Sequence, residues 1–253
     1  MAIYGFCNIA LIPLRSRPSH RSEMISQLLF GEAYEIIKQD INWLYVRSLY
    51  DDYKGYLDRN QLSILRDSEI ETYYTLQTPL IAQDWTLLYD KRRDFRFYVP
   101  PGAGLPLRDD KTIYLGAEWF EIESIAPQKS MHEHIRLFMN APYLWGGRSP
   151  LGIDCSGFNQ ILFKMAGVKL LRDASQQAQQ GNPVESIEAA KCFDVAFFAN
   201  KENRITHTGI IYMDHSIVHA SSKVRKDRID NKGIFNVEKE EYSHSLHSIR
   251  SII

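Results

Sequence analysis

The sequence predicts an α+β chain in two parts: a β-rich N-terminal half, then helices followed by strands. Three observations carry this. Through residues 1–125, short runs of β-branched and aromatic residues recur between turn formers. At residues 143–157 a loop holding Gly146, Gly147, Gly152 and Gly157 delivers a cysteine to the start of a segment with helical period. Beyond residue 190, three apolar runs have the character of strands.

Residues 31–37 and 43–49 read as strands bounded by Gln39, Asp40, Asp51 and Asp52, and Pro13 and Pro18 exclude helix nearby. Short strands at this spacing suggest a small barrel. Residues 70–125 look like a second, more divergent copy, with strands at 85–88, 95–99, 112–115 and 119–122 separated by Pro100, Pro101 and Gly102 and by Gly104, Leu105 and Pro106. A single larger β domain over 1–125 is the alternative. Met131, Ile135 and Phe138 predict a helix over about 130–140. Phe158, Ile161, Leu162 and Met165 predict another that begins at Cys155, with Gly167 placed to cap its end. Strands are expected at 193–199, 205–213 and 216–220, and the domain division expected is 1–66, 67–127 and 128–253.

At 253 residues and 44% hydrophobic content the chain can bury sizeable cores. A net charge of -1 provides no global basic field, so neither nucleic acid nor an anionic membrane surface is expected as a partner. No apolar run is long enough to predict membrane insertion. Cys7, Cys155 and Cys192 are an odd and sparse set, which argues against a disulfide framework and for a reducing compartment. The N-terminus shows no cationic start followed by a long apolar run, so a cytoplasmic location is expected, or a periplasmic one if a leader has been removed. No cofactor is expected, and no metal: His132 and His134, flanking Glu133, are two apart on a helix and point to different faces.

Cys155 carries the chemistry. Backbone N–H groups and the helix dipole favour an anion at a helix N-terminus, so its thiol is expected to reach the thiolate form near neutral pH. A lone cysteine on a helix is more often inert packing, but packing needs neither the surrounding glycines nor the polar neighbours Asp154 and Ser156. A thiol nucleophile needs a base, and the base needs a third group to orient it. His207 lies within an apolar strand, with Gly209 two residues on leaving room beside the ring, and His219 lies on the next strand. A turn centred on Met213 would set His219 opposite His207, whereas a two-residue turn at Asp214 and His215 would set Ile210 opposite His219; the sequence leaves the register open.

Tyr143-Leu144-Trp145-Gly146-Gly147, Asp154-Cys155-Ser156-Gly157, His207-Thr208-Gly209-Ile210 and Ile217-Val218-His219 follow one another in the order that resembles the NlpC-type cell-wall peptidases, which are papain-like cysteine enzymes. Arg172-Asp173-Ala174-Ser175-Gln176 resembles a further segment of that family, and the match spans about residues 128–250. One departure is visible: Cys192-Phe193-Asp194 stands where the family has Pro-Gly-Asp. Upstream, Gly31-Glu32, the run Trp43 to Arg47 and Gly55-Tyr56-Leu57 resemble the bacterial SH3-like domain, so one or two small SH3-like barrels are expected before the papain-like domain.

The resemblance implies that Cys155 attacks a γ-D-glutamyl carbonyl of a peptidoglycan stem peptide, with His207 as base and then acid and His219 orienting it. It further implies a dipeptidyl-peptidase VI-like enzyme that requires a free N-terminal L-Ala on a murein tripeptide or related peptide. Asp154 and Ser156 would read the ammonium, Trp145 would form a wall, and Tyr143 would assist the oxyanion. Tyr53 and Glu23 of the barrel would complete amine recognition. An amidase or acyltransferase on the same thiol scaffold, or an inactive wall-binding module, are the rival readings.

Overall fold

The computed structural model describes residues 2–66, 69–70, 80–109 and 111–253 and is built mostly of sheet. The chain divides into two compact units, Met1–Ser130 with Trp145–Ser149, and Met131–Leu144 with Pro150–Ile253.

In the first unit an antiparallel sheet of seven strands runs Met24–Leu29, Leu11–Arg15, Lys54–Asp58, Trp43–Ser48, Ala33–Gln39, Ile3–Phe6 and Ile64–Leu65. Alternate residues supply its core, including Ile12, Leu14, Tyr34, Leu44, Val46 and Leu57, as the period of two requires. A second sheet follows, with strands in the order Phe95–Val99, Thr86–Asp90, Glu118–Ser124 and Thr112–Leu115. Phe30, Phe97 and Phe120 pack edge to face between the sheets, with ring centroids 5.2 to 5.9 Å apart. The boundary expected at residues 66 and 67 touches positions outside the described residues. Strands expected at 95–99 and 112–115 form at those positions, and those at 85–88 and 119–122 form with ends one or two residues away.

The short segment Trp145–Ser149 belongs to this first unit although it precedes Cys155 closely in the chain. Its Arg148 is fully buried and forms a two-pronged ion pair with Glu32, at 2.8 and 3.0 Å, while the Arg148 amide donates to Gln27 Oε1 at 2.8 Å. A Cβ at Gly146, which has φ of +77°, would lie 2.4 Å from the Met24 carbonyl oxygen, so both the conformation and the close approach require glycine.

The second unit begins with the helix Met131–Phe138, whose buried side chains Met131, His134, Ile135 and Phe138 recur at helical spacing. The helix Cys155–Met165 comes next and is buried along its whole length, then a single turn, Ala174–Gln177. Gly167, with φ of +82°, directly follows the C-cap Ala166, where a left-handed residue ends the helix. The remaining chain forms a sheet in the order Asn182–Val184, Glu241–Ser251, Val195–Ala199, Ile205–Tyr212, Ser216–Ser221, Lys223–Asp230 and Gly233–Asn236. Because Glu241–Ser251 also pairs with Gly233–Asn236, six of these strands close into a ring. Ala196, Phe198, Ile211, Ile217, Ile229, Ile234 and Ile249 form its apolar core. Among the described residues no helix is long and apolar enough to cross a membrane.

Candidate active site

Asp154 starts the nucleophile's helix. Its backbone is extended, at φ of -94° and ψ of 177°, and its carboxylate accepts the Gly157 amide at 2.7 Å, satisfying one of the donors that a helix start leaves open. The same carboxylate accepts two bonds from the buried Arg172, at 3.0 and 2.6 Å. Arg172 donates to Ser156 Oγ at 2.9 Å, and Ser156 Oγ donates to Asp154 at 3.3 Å. Gln177 donates to the Ser156 carbonyl at 2.9 Å and to the Leu171 carbonyl at 2.8 Å. Asp154 and Ser156 are therefore tied into a buried, charge-balanced network that fixes the first turn of the helix. The segment around Arg172, which the sequence matched only as a motif, supplies its cation.

Cys155 is buried. Burial, and then the Asp154 carboxylate, push its thiol up to about 12; the backbone amides of Thr208 and Ser156 and the Arg172 charge pull it down without offsetting this. The expectation of a thiolate near neutral pH is thus corrected. A helix N-terminus is worth about 0.3–1 kcal/mol to an exposed anion, and here the loss of water around the sulfur outweighs it. Tyr143 is exposed at 36% of its surface, yet loss of water around the rest of its ring, followed by Cys155 and Asp154, raises its phenol to about 12, so it stays a neutral donor.

His207 and His219 come together. Pairing of Ile210 with Val218, Ile211 with Ile217 and Tyr212 with Ser216 centres the hairpin on Asp214, between the two registers left open above. Continued one step, that register sets Gly209 beside His219. A Cβ at Gly209 would lie 2.8 Å from His219 Cβ, so the glycine makes room for this ring. His207 Nε2 then meets His219 Nδ1 diagonally at 2.8 Å. Burial pushes the His207 ring well below the usual histidine range, and His244 and His219 add to this. Asn159 of the nucleophile's helix donates to Thr208 Oγ1 at 2.9 Å, and the Thr208 amide acts on the Cys155 sulfur, so the residue following His207 links its strand to Cys155.

Two further groups complete the histidine cluster. His219 Nε2 lies 3.0 Å from Asp227 Oδ2. His244 stacks on His207, with ring centroids 4.1 Å apart and planes at 23°. Sequence reasoning missed both. Asp227 lies in the run Lys223–Asp230, whose many charges read as a solvated strand. The available signal was alternation, since Arg225, Asp227 and Ile229 share one face of that strand, which Ile229 marks as buried. His244 sits in a polar strand with no comparable signal.

The remaining expected residues lie in the first unit. Trp145 Nε1 donates to Glu23 Oε1 at 2.6 Å. Tyr53 follows a turn in which its own amide donates to Asp51 Oδ1 at 3.2 Å. Among the described residues no cluster of His, Cys, Asp and Glu side chains is arranged to hold a metal.

Residues 140–242 match the NlpC/P60 family, and residues 14–62 match the bacterial dipeptidyl-peptidase SH3 domain. The chain is 26% identical to dipeptidyl-peptidase 6 of Lysinibacillus sphaericus, in an alignment covering 82% of this chain and 84% of that one. It is 28% identical to gamma-D-glutamyl-L-lysine dipeptidyl-peptidase of Bacillus subtilis (strain 168), covering 77% of this chain and 71% of that one. In fold it is similar to the crystal structure of an NlpC/P60 family protein from Bacillus cereus ATCC 10987, with a TM-score of 0.79 at 17% identity, over 98% of this chain and 99% of that one.

Proposed function

The chain carries an NlpC/P60 cysteine-peptidase domain together with a bacterial dipeptidyl-peptidase SH3 domain, and from that premise we propose that it hydrolyses the γ-D-Glu to diamino acid bond of murein stem peptides bearing a free N-terminal L-Ala. The observation that carries the reading is a cysteine at a capped helix start, linked through the Thr208 amide to the strand of a buried histidine that is itself hydrogen-bonded to a second histidine at 2.8 Å. Two relatives named as gamma-D-glutamyl-L-lysine dipeptidyl-peptidases support the bond chosen.

In this mechanism Cys155 Sγ attacks the γ-glutamyl carbonyl while its proton passes to His207. The tetrahedral oxyanion is met by backbone N–H groups at the start of helix Cys155–Met165, with Tyr143 as a neutral phenol donor. His207 then protonates the leaving amine, and water hydrolyses the acyl-enzyme by the reverse route. Both partners are held in their uncharged forms by burial, which suits proton transfer during attack.

Recognition of the free amine is assigned to Asp154, Ser156, Glu23 and Tyr53, with Trp145 as a wall. Sequence correspondence supports this for all five. The carboxylate of Glu23, already bonded to the Trp145 indole, is chemically suited to an ammonium. The expected arrangement of one or two SH3-like barrels belongs to the same reading.

The test is cleavage of L-Ala-γ-D-Glu-meso-diaminopimelate and its lysine counterpart, each free and N-acetylated, by the wild type and Cys155→Ala, with products identified by mass spectrometry. Release of L-Ala-γ-D-Glu from free peptides by the wild type alone is the expected result. Equal cleavage of the acetylated peptides would remove the amine-reading role. No cleavage of any would overturn the reading in favour of an amidase or a binding module.

A further inference from the structure

Beyond the histidine pair lies a carboxylate with more donors than a surface aspartate attracts. Asp227 is buried on the strand Lys223–Asp230, next to the His219 strand in the register Ile217 with Asp227 and His219 with Arg225. Its Oδ2 faces His219 Nε2 at 3.0 Å and Arg225 Nε at 2.8 Å. Its Oδ1 accepts from Arg225 Nη2 at 3.0 Å and from the Val237 amide at 3.1 Å. Arg225 is in turn held by Glu238 at 2.9 Å. Burial alone would push the Asp227 carboxyl up, but the bonds from His219, Arg225 and Val237 outweigh it and bring it to about 2, so the group is ionised throughout the neutral range.

An ionised carboxylate can only accept hydrogen bonds. The proton of His219 must therefore sit on Nε2, and with His219 uncharged its Nδ1 carries a lone pair. At 2.8 Å, that lone pair requires the N–H of His207 to be on Nε2. With His207 also uncharged, its lone pair lies on Nδ1. Three groups thus hold two hydrogen bonds pointing in one direction, and the direction is set at the Asp227 end.

We propose that Asp227 is a positioning residue: through His219 it fixes the tautomer in which His207 Nδ1 is the base that takes the Cys155 proton. The inference rests on the reading of Cys155 and His207 as nucleophile and base. Without the anion, His219 can hold its proton on Nδ1 instead. His207 Nε2 then becomes the acceptor, and its Nδ1–H is turned towards a thiol that it cannot deprotonate. Arg225 and the Val237 amide keep Asp227 ionised and stationary through contacts of 2.8, 3.0 and 3.1 Å that engage both of its oxygens.

The direct test is long-range proton–nitrogen NMR correlation of histidine-labelled protein, with His207, His219 and His244 each assigned by substitution. In the wild type His207 and His219 should both be protonated on Nε2. Asp227→Asn should transfer the His219 proton to Nδ1 in part or whole, and lower kcat by a factor on the order of 10² to 10⁴ with KM little changed. Wild-type His219 protonated on Nδ1 would overturn the proposal, and that measurement needs no variant to fold. Folded Asp227→Asn with kcat within threefold of wild type would overturn it too. Activity retained by Cys155→Ala and His207→Ala would instead overturn the catalytic reading itself.

Discussion

Gly209→Ala isolates alignment from chemistry, because it removes no group proposed to react. The backbone at 209 is ordinary extended strand, so the added methyl costs nothing in conformation and acts only through space. It would lie 2.8 Å from His219 Cβ and 2.9 Å from Ile217 Cδ1. Carbon atoms in contact prefer about 3.5–4.0 Å. The Ile217 methyl can turn away, but His219 Cβ is attached directly to its strand, so the two strands or the ring must give by about 1 Å. A shift of that size along the line joining the rings takes the 2.8 Å contact between His207 and His219 beyond about 3.2 Å, where the bond is largely lost. Overpacking of this kind costs about 1–3 kcal/mol. Loss of the oriented base should lower kcat/KM by a factor on the order of 10² to 10⁴. Steady-state cleavage of the free tripeptide, read beside chemical denaturation of the same preparation, measures both. A folded Gly209→Ala protein with kcat/KM within threefold of wild type would refute the claim that the histidine contact depends on this space.

Three further outcomes are expected. Arg172→Met leaves Asp154 buried without its cation and should cost about 3–5 kcal/mol in chemical denaturation, more than the loss of the hydrogen bonds alone would give. Stability should fall as pH drops from about 6.5 towards 4: the folded state holds His244 at about 4 and His207 well below its ordinary value, so the unfolded chain binds protons first. His244→Gln should flatten part of that fall in pH-resolved melting, and an unchanged slope would count against the lowered position of His244 in the folded state. Asn159→Ala should loosen the helix against the His207 strand, lowering kcat more than it raises KM for the free tripeptide.

Much of the fold was legible because periodicity and punctuation agreed locally. Phe158, Ile161, Leu162 and Met165 marked the nucleophile's helix, and Gly167 marked its end. His207 and His219 were conspicuous because ionisable rings interrupt apolar strands. The register between them was not legible, since a one-residue change in the turn moves the whole pairing and both Asp214 and His215 adopt positive φ at the tip. Asp227 and His244 were hidden for a different reason. A charged strand looks solvated until the closing pair between Gly233–Asn236 and Glu241–Ser251 bends it into the ring and buries one of its faces. Tertiary closure, rather than local sequence, turns that aspartate inward.

The misjudged property of the site was the charge on the sulfur, and it changes what the surrounding residues are for. If Cys155 rested as a thiolate, His207 would need only to be a nearby cation, and the placement of its proton would matter little. Burial instead keeps the thiol and imidazole uncharged. The proton then has to leave the sulfur on the way to bond formation, and the base can take it only with its lone pair facing the sulfur. Orientation becomes the limiting requirement. A glycine that clears space for His219, a hydrogen bond of 2.8 Å between two rings and a fixed carboxylate behind them all serve that single requirement. The helix start makes a complementary contribution: in the mechanism proposed here its amides meet the negative charge that develops on the substrate oxygen, and so act on the transition state more than on the resting thiol.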